Sequence, residues 1–167
     1  GMHKLDEHGI AAFGGPNHQA KNERLYVLWE ATKNFVFKDG GTTKLSQLYD
    51  FWSSEPYGVR AGLLPILGMA FFLANRSTLA LYVEGAFTSS ISEAMIDEWL
   101  HDPKGIEFRF VSASSDKNTF IKAVIASLPS EIKMTSDKPL DVARALVGFV
   151  VALPNWTRRT LSLSPDA

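Results

Sequence analysis

The sequence predicts a mostly helical α+β fold. Three observations carry this reading. Apolar residues recur at helical spacing through most of the chain; Leu79, Leu81 and Val83 alternate ahead of a Glu84-Gly85 turn; and Ile106 to Val111 alternates as a half-buried strand does.

Residues 1–20 hold Gly9, Gly14, Gly15 and Pro16 without periodicity, which predicts a flexible N-terminal arm. Gly1 ahead of Met2 reads as a protease-cleavage scar and is set aside. From Asn22, residues Leu25, Leu28, Trp29, Thr32, Phe35 and Val36 share one helical face. Asp39-Gly40-Gly41 is the expected stop. Thr43 suits the N-cap of a second helix, with Leu45, Leu48, Tyr49 and Trp52 as its stripe. Pro56 and Gly58 tighten the turn that follows.

A third helix, 59–75, is apolar nearly all round, which predicts burial on most sides. Leu63, Leu67 and Phe71 are expected under the protein's own elements, with no side left for a nucleotide or nucleic acid. Pro65 predicts a kink or a restart. A hairpin, Leu79–Val83 with Ala86–Ser89, comes next. Ser90 and Glu93 have capping-box spacing ahead of a helix with Met95, Ile96, Trp99 and Leu100 inward. After the 106–111 strand, Asp116 is a candidate cap for a helix with Phe120, Ile121, Val124, Ile125 and Leu128 inward. Pro139 opens a last helix to about Leu153.

Three helices followed by a hairpin is the order of a winged-helix unit. The full expectation is a winged-helix-like three-helix unit with a β-hairpin wing, an additional strand and flanking helices. Its divisions are a flexible arm over 1–20, a winged-helix-like domain over 21–128, and a C-terminal helix and basic tail over 129–167.

Composition narrows the function. The chain has 167 residues, 46% of them hydrophobic, enough for a core of its own. Seventeen basic residues against 18 acidic ones argue against a strongly basic nucleic-acid binder or a polybasic membrane anchor. With no cysteine there is no disulfide, no thiolate zinc site and no thiol nucleophile. The longest uncharged run, Ala61 to Asn75, is shorter than the ~20 residues that span a bilayer. A cytoplasmic protein is therefore expected, without a membrane partner.

No phosphate-cradling, dinucleotide-binding, nucleophile-elbow or zinc-protease motif occurs. His3 and His8 are spaced wrongly for one helix face, and His101 reads as a favourable contact at a helix C-terminus. Glu93, Asp97 and Glu98 read as a solvated helix face. No catalytic, cofactor-binding or metal-ligating residue is assigned, and an enzyme is not expected.

Nucleic acid is the serious competitor, since a winged helix often docks its third helix in a groove. Here that helix offers Arg60 alone, and residues 56–115 carry four basic side chains against six acidic ones. The segment from Asp116 onward is mildly basic, and Trp156-Thr-Arg-Arg159 sets a ring beside two guanidinium groups. Arg60, Trp156, Arg158 and Arg159 are therefore the candidate contacts for a partner or for DNA. Arg60 must be paired or point outward, and Trp156 is expected to pack.

Three blocks occur in order: Pro56-Tyr57-Gly58-Val59-Arg60-Ala61-Gly62-Leu63-Leu64-Pro65, Leu81-Tyr82-Val83-Glu84-Gly85-Ala86-Phe87, and Leu153-Pro154-Asn155-Trp156-Thr157. Together they resemble the non-catalytic region of large bacterial multidomain ATP-binding proteins, some of them associated with phage defence, over roughly residues 24–165. The resemblance implies an accessory, winged-helix-like module whose ATPase motifs lie elsewhere in the parent chain. No catalytic residue carries over. The uncapped end at Leu161 to Ala167 agrees with a piece of a longer protein. The expected role is a non-enzymatic interaction module contacting other domains of a parent ATPase or a protein partner. The alternative is a DNA-binding winged helix that uses the wing and the basic tail. Tyr57 is expected to close over the hairpin.

Overall fold

Leu28, Trp29, Thr32 and Val36 form the buried stripe of α1, Arg24–Val36, as their spacing requires. The structure, a computed structural model, describes residues 3–5, 11–16, 23–38, 41–112, 115–128, 132 and 136–159. It is an α+β fold in which helices predominate. The chain divides into two compact units, Gly1–Ser112 and Ala113–Ala167.

The first unit opens with two short strands, β1 (His3–Leu5) and β2 (Ala11–Phe13), paired antiparallel with Lys4 opposite Ala12. The arm expected over 1–20 thus carries a two-stranded ladder. After α1 comes β3, Thr42–Lys44, and directly from it α2, Leu45–Ser53. Thr43 is therefore a strand residue, not a cap. Its branched side chain is buried opposite Phe108, while Lys44 takes the N-cap position and its N–H donates to Gln47 Oε1 at 3.0 Å. The expected stop at Asp39-Gly40 lies outside the described residues.

A 3₁₀ turn over Ala61–Leu63 leads into α3, Leu64–Ala74. Pro65 lies in its first turn, where a missing N–H costs nothing, so the helix restarts there and does not kink. The hairpin follows as β4 (Leu79–Val83) and β5 (Ala86–Thr88), with Glu84 and Gly85 both at positive φ in its turn. In α4, Glu93–His101, the cap is Ser92 and not Ser90: the Met95 N–H donates to Ser92 Oγ at 3.2 Å. Met95 and Trp99 are buried, whereas Ile96 and Leu100 face solvent, contrary to expectation. The strand β6, Ile106–Phe110, completes a four-stranded antiparallel sheet of order β3-β6-β4-β5.

Alternation puts Leu79, Leu81, Ile106 and Phe108 on the inner face of that sheet. Phe72 of α3 stacks on Phe108 at 5.8 Å, and Trp99 of α4 lies 5.7 Å from the same ring. The Trp99 indole N–H donates to the Pro65 carbonyl at 3.2 Å, tying α4 to the start of α3. On the other side of the core, the Trp52 indole donates to the Thr32 hydroxyl at 2.8 Å. That hydroxyl donates in turn to the Leu28 carbonyl at 2.7 Å. A Cβ on Gly68 would stand 3.2 Å from both Leu45 and Trp99, so its absence lets α2, α3 and α4 close up.

The second unit holds α5 (Ser115–Ser127), α6 (Pro139–Ala152) and the five-residue α7 (Asn155–Arg159). The helix α5 begins one residue before Asp116 and belongs to this unit, not to the domain expected to end at 128. Phe120, expected inward, is exposed. Pro139 sits in the first turn of α6, as its chemistry favours. Arg144 is buried and paired with Asp141 at 3.1 Å.

The Tyr49 ring lies against Gly68, and its hydroxyl is buried without a hydrogen-bond partner among the described residues. The Trp99 indole beside it is committed to Pro65. Burial pushes the phenol well above the usual tyrosine range, with Trp99 opposing only weakly. Removing an unsatisfied hydroxyl should cost nothing, so Tyr49→Phe is expected to match or exceed wild-type stability, by up to about 1 kcal/mol in urea denaturation. The pH dependence follows from the same shift. The folded state keeps this proton where the unfolded chain, with a pKa of about 10, releases it. Stability is then full below about pH 10 and falls as pH rises beyond it, and Tyr49→Phe should reduce that fall.

Candidate functional site

The first half of α1, the turn before α3 and the first two turns of α3 enclose an open groove of about 700 Å³. Its base is set by the core. Trp29 of α1 meets Phe71 of α3 edge-on, with ring centroids 5.1 Å apart, and Phe71 is fully buried. Next to that contact Leu28 and Leu67 line the groove, the first buried and the second half-buried. From there the helices present Leu25 and Val27 on one wall and Leu63 and Ile66 on the other.

Pro56, Tyr57 and Val59 form the remaining wall. Aromatic packing holds it in place: Phe35 of α1 stacks on Phe51 of α2 at 4.7 Å, and Phe51 meets Tyr57 edge-on at 5.2 Å. The Tyr57 and Gly58 N–H groups both donate to the Ser54 carbonyl, and the Val59 N–H to the Trp52 carbonyl at 2.9 Å. Gly58 is at φ +57°, the left-handed conformation this reversal needs. Tyr57 is thus spent on the groove, where the sequence placed it over the hairpin.

The groove corrects the expectation for the third helix. Phe71 is covered, but Leu63 is 56% exposed and Ile66 67%. The helix α3 is buried on most sides, as expected, but Ile66 and, in the turn before it, Leu63 are left uncovered. Arg24, the first residue of α1, is the single charged side chain among the described lining residues, and it is exposed. Arg60 directly follows the lining residue Val59. It points outward and meets no carboxylate among the described residues.

The other candidate residues lie in the second unit. Trp156, Arg158 and Arg159 share α7, and all three are exposed. Trp156, expected to pack, is 76% exposed, and the Arg158 guanidinium donates to Asn155 Oδ1. His101 contacts the Asp97 carbonyl at 2.9 Å and its carboxylate at 3.4 Å, the expected helix-end arrangement. Glu93, Asp97 and Glu98 are exposed. His8 and His18 lie outside the described residues.

The sequence reading missed the groove because Leu25, on the expected inward stripe of α1, is exposed, and other wall residues sit off the stripes that periodicity detects. Val27 falls outside the α1 stripe, and Ile66 sits on a helix with no polar face to contrast with it. The available signal was that very excess of apolar residues. No protein-family model, curated protein or solved structure matches this chain. No helix among the described residues is long and apolar enough to cross a membrane.

Because Ile66 is held by little, Ile66→Glu should change unfolding free energy by no more than about 0.5 kcal/mol. Phe71→Ala, beneath the groove, should cost about 3–5 kcal/mol. Urea titrations followed by tryptophan fluorescence separate the two.

Proposed function

We propose that this chain is a non-enzymatic interaction module and that the α1–α3 groove is where it binds an apolar segment of a protein partner or of another domain. The observation that carries the reading is the exposure of Leu63 and Ile66 in a walled, apolar groove. Burying what is still exposed of either side chain on association would contribute about 1–2 kcal/mol, so water is a costly place to leave both. The groove brings no nucleophile, no carboxylate pair and no histidine together among its described lining residues. That chemistry suits recognition.

The resemblance to accessory regions of large bacterial ATP-binding proteins supports the same role. Its first block, Pro56 to Pro65, supplies Pro56, Tyr57, Val59 and Leu63 to the groove. In this reading the module belongs to a longer ATPase, works in the cytoplasm, and is winged-helix-like in its order of three helices and a hairpin. A display library of random 16-residue peptides, selected on the protein, tests it. Binders should emerge with micromolar affinity and lose at least tenfold on Ile66→Glu or Leu63→Glu. A pool indifferent to both substitutions would remove the groove from consideration.

A second reading, DNA binding, is favoured by one observation: Trp156 stands exposed beside Arg158 and Arg159. The hairpin contributes little to it, since residues 79–88 carry Glu84 and no basic side chain. Under this reading duplex affinity falls steeply with salt, and Arg158→Ala with Arg159→Ala lowers the log–log slope by about 2. Under the interaction reading, duplex binding at low salt is absent and both substitutions are silent in the peptide assay.

A further inference from the structure

We infer that the occupant of the α1–α3 groove is an amphipathic helix of a partner, with apolar anchors at i, i+3 or i+4, and i+7 and a carboxylate one turn beyond them. This rests on the groove being the interaction site, and it adds what that site selects.

The secondary structure of the occupant follows from the walls. Both long walls are helices whose backbone groups are bonded within the helix, so they offer no ladder for an incoming strand to extend. A helix satisfies its own backbone and needs only apolar contact. The opening argues in the same direction. With Leu63 and Ile66 more than half exposed, an acyl chain or other small apolar ligand would stay largely in water, whereas small-ligand sites enclose most of what they bind. A helix brings its own polar face to the open side. Leu63 to Ala70 spans about 11 Å at 1.5 Å per residue, the length of two turns, which sets the number of anchors.

The charge comes from Arg24. It lines the groove, no described residue pairs with it, and it occupies the first position of α1. The N-cap residue of that helix, Glu23, makes no side-chain cap bond and is exposed, so the Arg24 guanidinium is the charge that borders the groove. Glu23 and Glu55 are its acidic neighbours in sequence or along the turn, but both are exposed and neither lines the groove. A partner carboxylate near Arg24 would find the one charged side chain among the described lining residues to be a cation, while a basic group there would be repelled.

The peptide library resolves the inference when its selected pool is sequenced. The expected pool has apolar residues at helical spacing and Asp or Glu enriched at one end. Arg24→Glu should weaken the best acidic peptide five- to tenfold, and a version of that peptide with Lys in place of its acid should show the reverse order of affinities for the two proteins. A groove-dependent pool with no acidic preference, or one unmoved by Arg24→Glu, overturns this inference and leaves the groove reading standing. A pool that ignores Ile66→Glu overturns both. Two further results count against a partner helix: dodecanoate displacing the peptides at micromolar concentration, and concentration-dependent self-association abolished by Ile66→Glu. The α4 face of a second copy, with Glu93, Ile96, Asp97 and Leu100, would give the latter. Circular dichroism and urea midpoints of each variant, matched to wild type, show that a lost interaction is not a lost fold.

Discussion

Helix α3 has apolar side chains on all its faces and room for only one of them against the sheet. Phe72 takes the sheet side, stacking on Phe108, and Phe71 takes the α1 side, against Trp29. Leu63 and Ile66 are what remains, and they remain in solvent. Scattered exposed apolar side chains are ordinary, but Leu63 and Ile66 on one wall of a groove, facing Val27 on the other, form a contiguous patch. The recognition surface is a consequence of how the core is filled.

That core is rigid where the groove needs it to be. The Trp52–Thr32–Leu28 relay joins α2 to α1 through buried hydrogen bonds, and the Trp99–Pro65 bond joins α4 to the root of α3. Both walls are therefore anchored by polar contacts with fixed geometry as well as by packing. The third wall hangs from the Phe35–Phe51–Tyr57 ladder and from backbone bonds to Ser54 and Trp52. A groove built this way is largely formed before anything enters it, which lowers the ordering cost of binding.

Periodicity in the sequence located five of the longer helices, the β4–β5 hairpin and β6, because each presents a face that is clearly apolar against one that is not, and an unbroken apolar run located α3. It failed where that contrast is missing or local chemistry is shared. Thr42 and Thr43 suit a helix cap and a strand equally well, and only pairing with Arg109 and Phe108 decides for the strand. Ser90 and Ser92 are both plausible caps, separated by where the helix can begin against Trp99 and Met95. Ile96 and Leu100 follow the pattern of an inward face, yet Met95 and Trp99 fill the available space first. The candidate site was harder still. Arg24 and Val27 look like ordinary surface residues of a helix, and what makes them a wall is the distant turn at Pro56 to Val59. Of the residues singled out by sequence, Arg60 lies beside that wall, while Trp156, Arg158 and Arg159 lie on α7 of the second unit.

The central claim is that Leu63 and Ile66 stand in water in the folded protein while their helix is otherwise packed. Methyl NMR with a soluble gadolinium chelate measures this directly. The account predicts strong paramagnetic broadening of the Leu63 and Ile66 methyl signals, with those of Leu45 and Leu79 untouched. Protection of Ile66 equal to that of Leu79 would mean the protein already covers this wall, and the groove would not be a site for anything else.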